Sequence, residues 1–205
     1  MKSWASNSQM WQWKDPGNVN DAHPSLNSDV PRAALTGGST DLLASIGCTM
    51  RIRRARESEA SALSALAVTS KQYWGYSPQD IERWRPLLAV SPQDIASNPT
   101  FVAEVENEVV GFYSLVIRSE VSDLDHLWVS PKFTHRGIGR ALLAHAVNSA
   151  RLAGMSTIVI DADPNAEPFY VACGALRQCV VAAPIAGNPA RFRPQLSLQV
   201  TSRAA

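Results

Sequence analysis

Leu124-Asp-His-Leu-Trp-Val-Ser-Pro-Lys-Phe-Thr-His-Arg-Gly-Ile-Gly-Arg-Ala-Leu-Leu143 runs from an apolar strand through a basic glycine loop into an amphipathic helix. Gly137 and Gly139 let the backbone curl tightly and come close to a ligand. The first amides of a helix lack intrahelical partners and sit at the positive end of its macrodipole. Lys132, His135, Arg136 and Arg140 add cationic side chains around them. Beyond the loop, Ile138, Leu142, Leu143, Ala146, Val147 and Ala150 recur at helical spacing, and Gly154 follows as a C-cap. The segment predicts a phosphate-bearing ligand held at the start of a helix over 138–153. A dinucleotide fingerprint fits poorly, because Leu142 stands where its third glycine should fall and the Val129-to-Gly137 connection is too long.

The 205 residues suit one domain plus an extension. A net charge of +1 argues against a general nucleic-acid binder. No apolar run reaches a membrane span, and no apolar signal-peptide core follows Lys2. Cys48, Cys173 and Cys179, an odd count without a framework, suit free thiols in a reducing cytoplasm. The histidines and cysteines are scattered, so no metal site is expected. His145, in the middle of the helix, is expected to face solvent.

Residues 1–48 are rich in Ser, Asn, Asp, Gly and Pro and show no periodicity, which predicts a disordered N-terminal extension. Met50, or a site near it, offers one alternative start, and docking of Trp4, Trp11 and Trp13 on the domain or on a partner offers another role for the tail. The patterned domain covers 49–205. A strand is expected over Thr49–Arg54 and a helix over Glu57–Ser70, followed by the aromatic loop Lys71–Ser77. Ser77 and Ser91 read as N-caps, each followed by proline, with Pro86 ending or kinking the first of the two helices. Strands Thr100–Val105 and Val109–Ile117 flank a hairpin turn at Glu106–Glu108. Strands at Leu124–Val129 and Thr157–Ala162, a short helix at 166–172, and strands near 179–182 and 196–200 complete the order. The fold class is mixed α/β, a mostly antiparallel central sheet flanked by helices.

This order and two motifs resemble the GCN5-related N-acetyltransferase (GNAT) superfamily over about residues 50 to 202. Val129–Leu143 is similar to that family's acyl-CoA pyrophosphate loop, with Thr134 in the position usually held by Gln or Arg. Ile160-Asp-Ala-Asp-Pro-Asn-Ala-Glu-Pro-Phe-Tyr-Val-Ala-Cys-Gly174 is similar to its strand-to-helix segment, and Gly187–Leu196 to a C-terminal hairpin of bacterial members. The resemblance implies transfer of an acetyl group from acetyl-CoA, as co-substrate without a metal, to a primary amine of a small molecule or protein. It implies that Thr134, His135, Arg136, Gly137, Ile138, Gly139 and Arg140 surround the pyrophosphate, and that Trp128 and Val129 pair their backbones with pantetheine. Asn165 would contact the pantetheine arm and Tyr170 would act as general acid on the departing thiolate. Asp125 and His126 are alternative general bases, on a strand that many family members bulge. Tyr73, Trp74 and Tyr76 line the acceptor pocket or, alternatively, close the first helix pair. Family members are often dimers through edge strands, so a homodimer is expected. The rival expectations are a CoA-binding regulatory module without activity and a nucleotide-binding domain.

Overall fold

Apolar alternation and helical periodicity resolve into twelve elements in the computed structural model, which describes residues 50–200. They are β1 (Met50–Arg54), α1 (Ala60–Gln72), α2 (Pro78–Leu88), α3 (Pro92–Ser97), β2 (Thr100–Val105), β3 (Glu108–Ile117), β4 (Val121–Val129), α4 (Ile138–Leu152), β5 (Thr157–Asp161), α5 (Glu167–Ala172), β6 (Leu176–Ala182) and β7 (Phe192–Gln199). The expectations for residues 1–48 and for Thr49 lie outside the described residues. The strands form one sheet in the order β1-β2-β3-β4-β5-β7-β6. Only β4 and β5 pair in parallel; every other neighbouring pair is antiparallel.

Local chemistry sets the boundaries. Ser77 Oγ accepts from the Asp80 amide at 3.1 Å, and Ser91 does the same for Asp94 in a reciprocal capping box. Pro86 falls in the last turn of α2, which runs two residues past it to Leu88 instead of ending there. A proline so near the C-terminus removes only one ladder bond. Glu106 and Asn107 carry φ of 52° and 66°, so the β2–β3 hairpin turns on two residues and Glu108 already belongs to β3. Lys71 and Gln72, expected in the aromatic loop, form the last turn of α1.

Helices cover both faces of the sheet. On one face Ile138, Leu142 and Ala146 of α4 pack with Tyr113, Leu124 and Ile158. On the other, Leu63 and Ala67 of α1 meet Ile95, Val102 and Phe112. The register between β3 and β4 shifts once: Ser114 opposes His126 and Leu115 opposes Leu124, which leaves Asp125 as the extra residue of a β-bulge. Leu124 accordingly packs under α4, whereas His126 and Trp128, after the bulge, turn toward Phe112 and the α1 face. β4 pairs with β5 only over Val121–Asp123 against Thr157–Val159. Beyond that point the two strands part.

His145 does not face solvent as expected. It is half-buried, and Tyr113 Oη shares hydrogen bonds with its Nδ1 at 2.8 Å and with Ser149 Oγ at 2.8 Å. Burial lowers the His145 pKa from its ordinary value, so the fold penalises the charged ring. Its contribution is complete above the unfolded-state value of about 6.5 and declines as pH falls through that value toward the lower folded one. Urea unfolding between pH 7.5 and 5 will therefore show a smaller acid-side loss of stability in His145→Gln than in the parent chain.

Candidate active site

The basic loop is built from the end of β4 outward. Ser130 N–H donates to Val110 O at 2.8 Å, and Pro131–Phe133 makes one 3-10 turn. Gly137 then takes φ +80°, a left-handed conformation that an L side chain adopts only with strain, and hands the chain to α4. Ala141 N–H closes the first helical turn on Gly137 O at 3.0 Å, so the amides of Ile138, Gly139 and Arg140 precede the first intrahelical bond. Lys132, His135, Arg136 and Arg140 are exposed around them. Arg136 lies 5.1 Å over the Phe133 ring. Two loop residues have other duties. Thr134 Oγ1 donates to Pro131 O at 3.0 Å, and the Ile138 side chain is 1% exposed, a core residue that offers only its amide.

Sequence reading missed a glycine that seats this helix. A Cβ on Gly111 of β3 would lie 2.9 Å from Trp128 O and 3.0 Å from Leu142 Cδ1. The only signal was a glycine inside a strand, which marks a close backbone approach.

The parted end of β4 offers free backbone. Ser130 bonds to Val110 and Trp128 opposes Phe112, so by antiparallel alternation the amide groups of Trp128 face β3. Those of Leu127 and Val129 face the gap toward β5. Leu127 thus replaces Trp128 beside Val129 as a backbone that can pair with an extended ligand. Ser70 Oγ, at the end of α1, donates to Val129 O at 2.9 Å across the same gap.

The bulge separates the two base candidates. The Asp125 side chain is 45% exposed. His126 is buried; its Nδ1 accepts from Trp128 Nε1 at 3.1 Å and its Nε2 lies 3.4 Å from Asp125 Oδ2. His126 Nδ1 is therefore occupied, and the Asp125 carboxylate is the more exposed of the two groups. Tyr170, on α5, is 6% exposed beside Phe169. Burial, with Cys173 and Asp163 adding to it, raises its pKa above the ordinary tyrosine value, so the hydroxyl is protonated at neutral pH.

Asp163, quoted within a motif but given no role from sequence, organises the other side of the gap. Its carboxylate pairs with Lys71 Nζ and accepts from Tyr76 Oη at 2.8 Å, Asn165 N at 2.9 Å, Asn165 Nδ2 at 3.0 Å and Arg191 Nη2 at 3.3 Å. Burial pushes this carboxyl up, but Lys71 and the hydrogen bonds outweigh it and hold Asp163 below its ordinary value. Asn165 Nδ2 also donates to Tyr76 Oη at 3.1 Å, so two expected site residues meet directly. Tyr76 is consequently less open than expected. It packs edge-on against Trp84 at 4.9 Å, and its pKa is pushed up to about 12 by burial and Asp163. Tyr73 and Trp74 remain exposed, 5.9 Å apart. Asp163→Ala leaves Lys71 and Arg191 without their carboxylate and will cost about 3–5 kcal/mol in urea unfolding.

A family model described as the acetyltransferase (GNAT) family matches residues 60–175. The uncharacterized N-acetyltransferase YafP of Escherichia coli (strain K12) is 30% identical over 109 residues, 53% of this chain and 65% of that protein, so less than two thirds of that relative is spanned. Among solved structures, the PaiA N-acetyltransferase of Thermoplasma acidophilum in complex with coenzyme A superposes with a TM-score of 0.61 at 21% identity, over 74% of this chain and 99% of that one. The Salmonella typhimurium protein yncA, solved with its cofactor acetyl-CoA, gives 0.57 at 18% identity, over 77% and 97%. These structures share the fold described above. The family match runs from the start of α1 to just past α5, enclosing the loop, the parted strand and Asp163 with Lys71, Tyr76 and Asn165, and the chain belongs to the acetyltransferase (GNAT) family.

Proposed function

We propose that this chain transfers an acetyl group from acetyl-CoA to a primary amine of a small molecule or protein. The observation that carries the reading is the continuity of unpaired β4 backbone with the free amides of α4. An extended, amide-bearing arm that ends in a pyrophosphate matches that sequence of donors and acceptors. Leu127 and Val129 would pair with the pantetheine amides, and Ile138, Gly139 and Arg140 would donate to phosphate oxygens, with the exposed basic side chains offsetting their charge. The PaiA and yncA proteins, of like fold, are solved with coenzyme A and acetyl-CoA respectively, which supports the same assignment here. Cys173 and Cys179 are free thiols, consistent with a cytoplasmic setting.

The chemistry needs a neutral amine, a stabilised oxyanion and a protonated leaving group. Asp125 takes the proton from the acceptor ammonium, directly or through water. The amine lone pair then forms the new C–N bond at the thioester carbonyl, the adduct nitrogen loses its second proton to water, and collapse of the adduct breaks the C–S bond. Tyr170, held protonated by burial, gives its proton to the departing sulfur.

Free-thiol release from acetyl-CoA across an amine panel tests the reading. Turnover of at least one amine is expected. Binding of CoA with no thiol release from any amine would identify a regulatory module instead. Stabilisation by NAD or ATP but not by CoA would point to a nucleotide-binding domain. Tyr170→Phe will lower kcat by about 10²-fold or more with acetyl-CoA affinity nearly intact. Gly137→Glu will weaken CoA binding well beyond Gly137→Ala, because both carry the backbone strain and only the first sets a negative charge against the phosphates; equal affinities would remove the loop from the site.

A further inference from the structure

We infer that the acceptor amine carries a carboxylate, read by Lys71 and Arg191 at the mouth of the gap between β4 and β5. The inference rests on the acyltransferase reading above and names its acceptor class.

The placement follows from α1. Its last turn touches both parted strands: Ser70 bonds to Val129 at the end of β4, and Lys71 pairs with Asp163 just beyond β5. Arg191 reaches the same carboxylate from the turn before β7. Lys71 and Arg191 both stack on Tyr76 and Trp84, with cation-to-centroid distances of 4.7–5.4 Å. The exposed rings of Tyr73 and Trp74 stand one turn further on.

The charges in this cluster do not balance. Lys71, Arg191 and Arg193 face Asp163 and Asp161, three cations against two carboxylates. Lys71 is 8% and Arg191 7% exposed, so solvent screens the excess poorly. The aromatic faces attract both cations but supply no net negative charge. Arg191 Nε is buried with no hydrogen-bond partner among the described residues. A buried guanidinium N–H without an acceptor carries a desolvation cost, and Arg193 Nε is in the same state, so this corner of the cluster is rich in donors and short of acceptors. Burial lowers the Lys71 pKa against the pull of Asp163, and Arg191 and Arg193 add to the lowering. One carboxylate at the mouth would relieve that crowding. The same excess positive charge opposes polyamines and other acceptors that are cationic throughout.

Matched amines test the inference with acetyl-CoA saturating: tryptophan against tryptamine, phenylalanine against phenethylamine, and 3-aminopropionate against propylamine. The carboxylated member of each pair should show about tenfold or higher kcat/KM, chiefly through KM. Lys71→Met and Arg191→Gln should each erase that preference, and Lys71→Arg should retain it; thermal unfolding checks that each variant is folded. An equal or reversed ratio in the parent chain overturns the inference, as does a preference that survives in both neutral variants. If CoA binds but no amine releases thiol, the acyltransferase reading fails separately. Equilibrium binding of N-acetylphenylalanine against N-acetylphenethylamine to the CoA-saturated protein then decides, and equal affinities overturn the carboxylate site.

Discussion

The parting of β4 from β5 is the constraint on which the site depends. Three residues of parallel pairing, Val121–Asp123, hold the strands together, and the bulge at Asp125 follows at once. An extra residue raises local twist and reverses which side chains face which layer. Leu124 can then seal the α4 core while His126 and Trp128 seal the α1 core only two and four residues later. Unpaired strand backbone in a sheet interior needs partners. The fold supplies one from Ser70 and leaves the remaining groups of Leu127 and Val129 facing the gap. The opening is thus a product of one inserted residue and a short parallel register, with helices on both faces holding it in place.

What could be read from the sequence was what is encoded locally. The Ser77-Pro78 and Ser91-Pro92 starts, the Glu106–Asn107 turn and the glycine entry to α4 each depend on residues within one turn of one another, and each appears where local chemistry puts it. The choice between Asp125 and His126 was not legible. Period-two alternation predicts facing only when the register is constant, and the register breaks at that position. His145 was misread for a related reason: helical spacing placed it off the main apolar stripe, but Tyr113 on β3 reaches it with a hydroxyl.

The Asp163 cluster was illegible for a different reason. Lys71 and Asp163 are 92 residues apart, and Arg191 lies a further 28 away. A lysine near a helix end, an aspartate before a proline and an arginine in a turn each have an ordinary surface explanation. Only the strand order, which sets β5 between β4 and β7 and the end of α1 over the gap, brings them into one buried site. Sequence reading found the partners Tyr76 and Asn165 but assigned them to separate halves of the site, acceptor and cofactor. The carboxylate between them joins the halves.

That junction has a mechanical consequence. Asp163 fixes Asn165 through two hydrogen bonds, Tyr76 through its hydroxyl and Lys71 through an ion pair. Lys71 is rigidly continuous with Ser70, which bonds to Val129. The end of α1, the start of α5 and the free edge of β4 are therefore tied by one chain of contacts around the gap. Buried ion pairs are poor sources of net stability, because desolvation offsets most of the Coulomb gain. A hydrophobic contact of similar volume would hold α1 to β5 at least as well. What it would not provide is a fixed direction for the Tyr76 hydroxyl and the Asn165 amide, or charge at the mouth of the opening. The arrangement gives up stability that apolar packing would supply and gains fixed orientation of polar groups along the edge of the gap between β4 and β5.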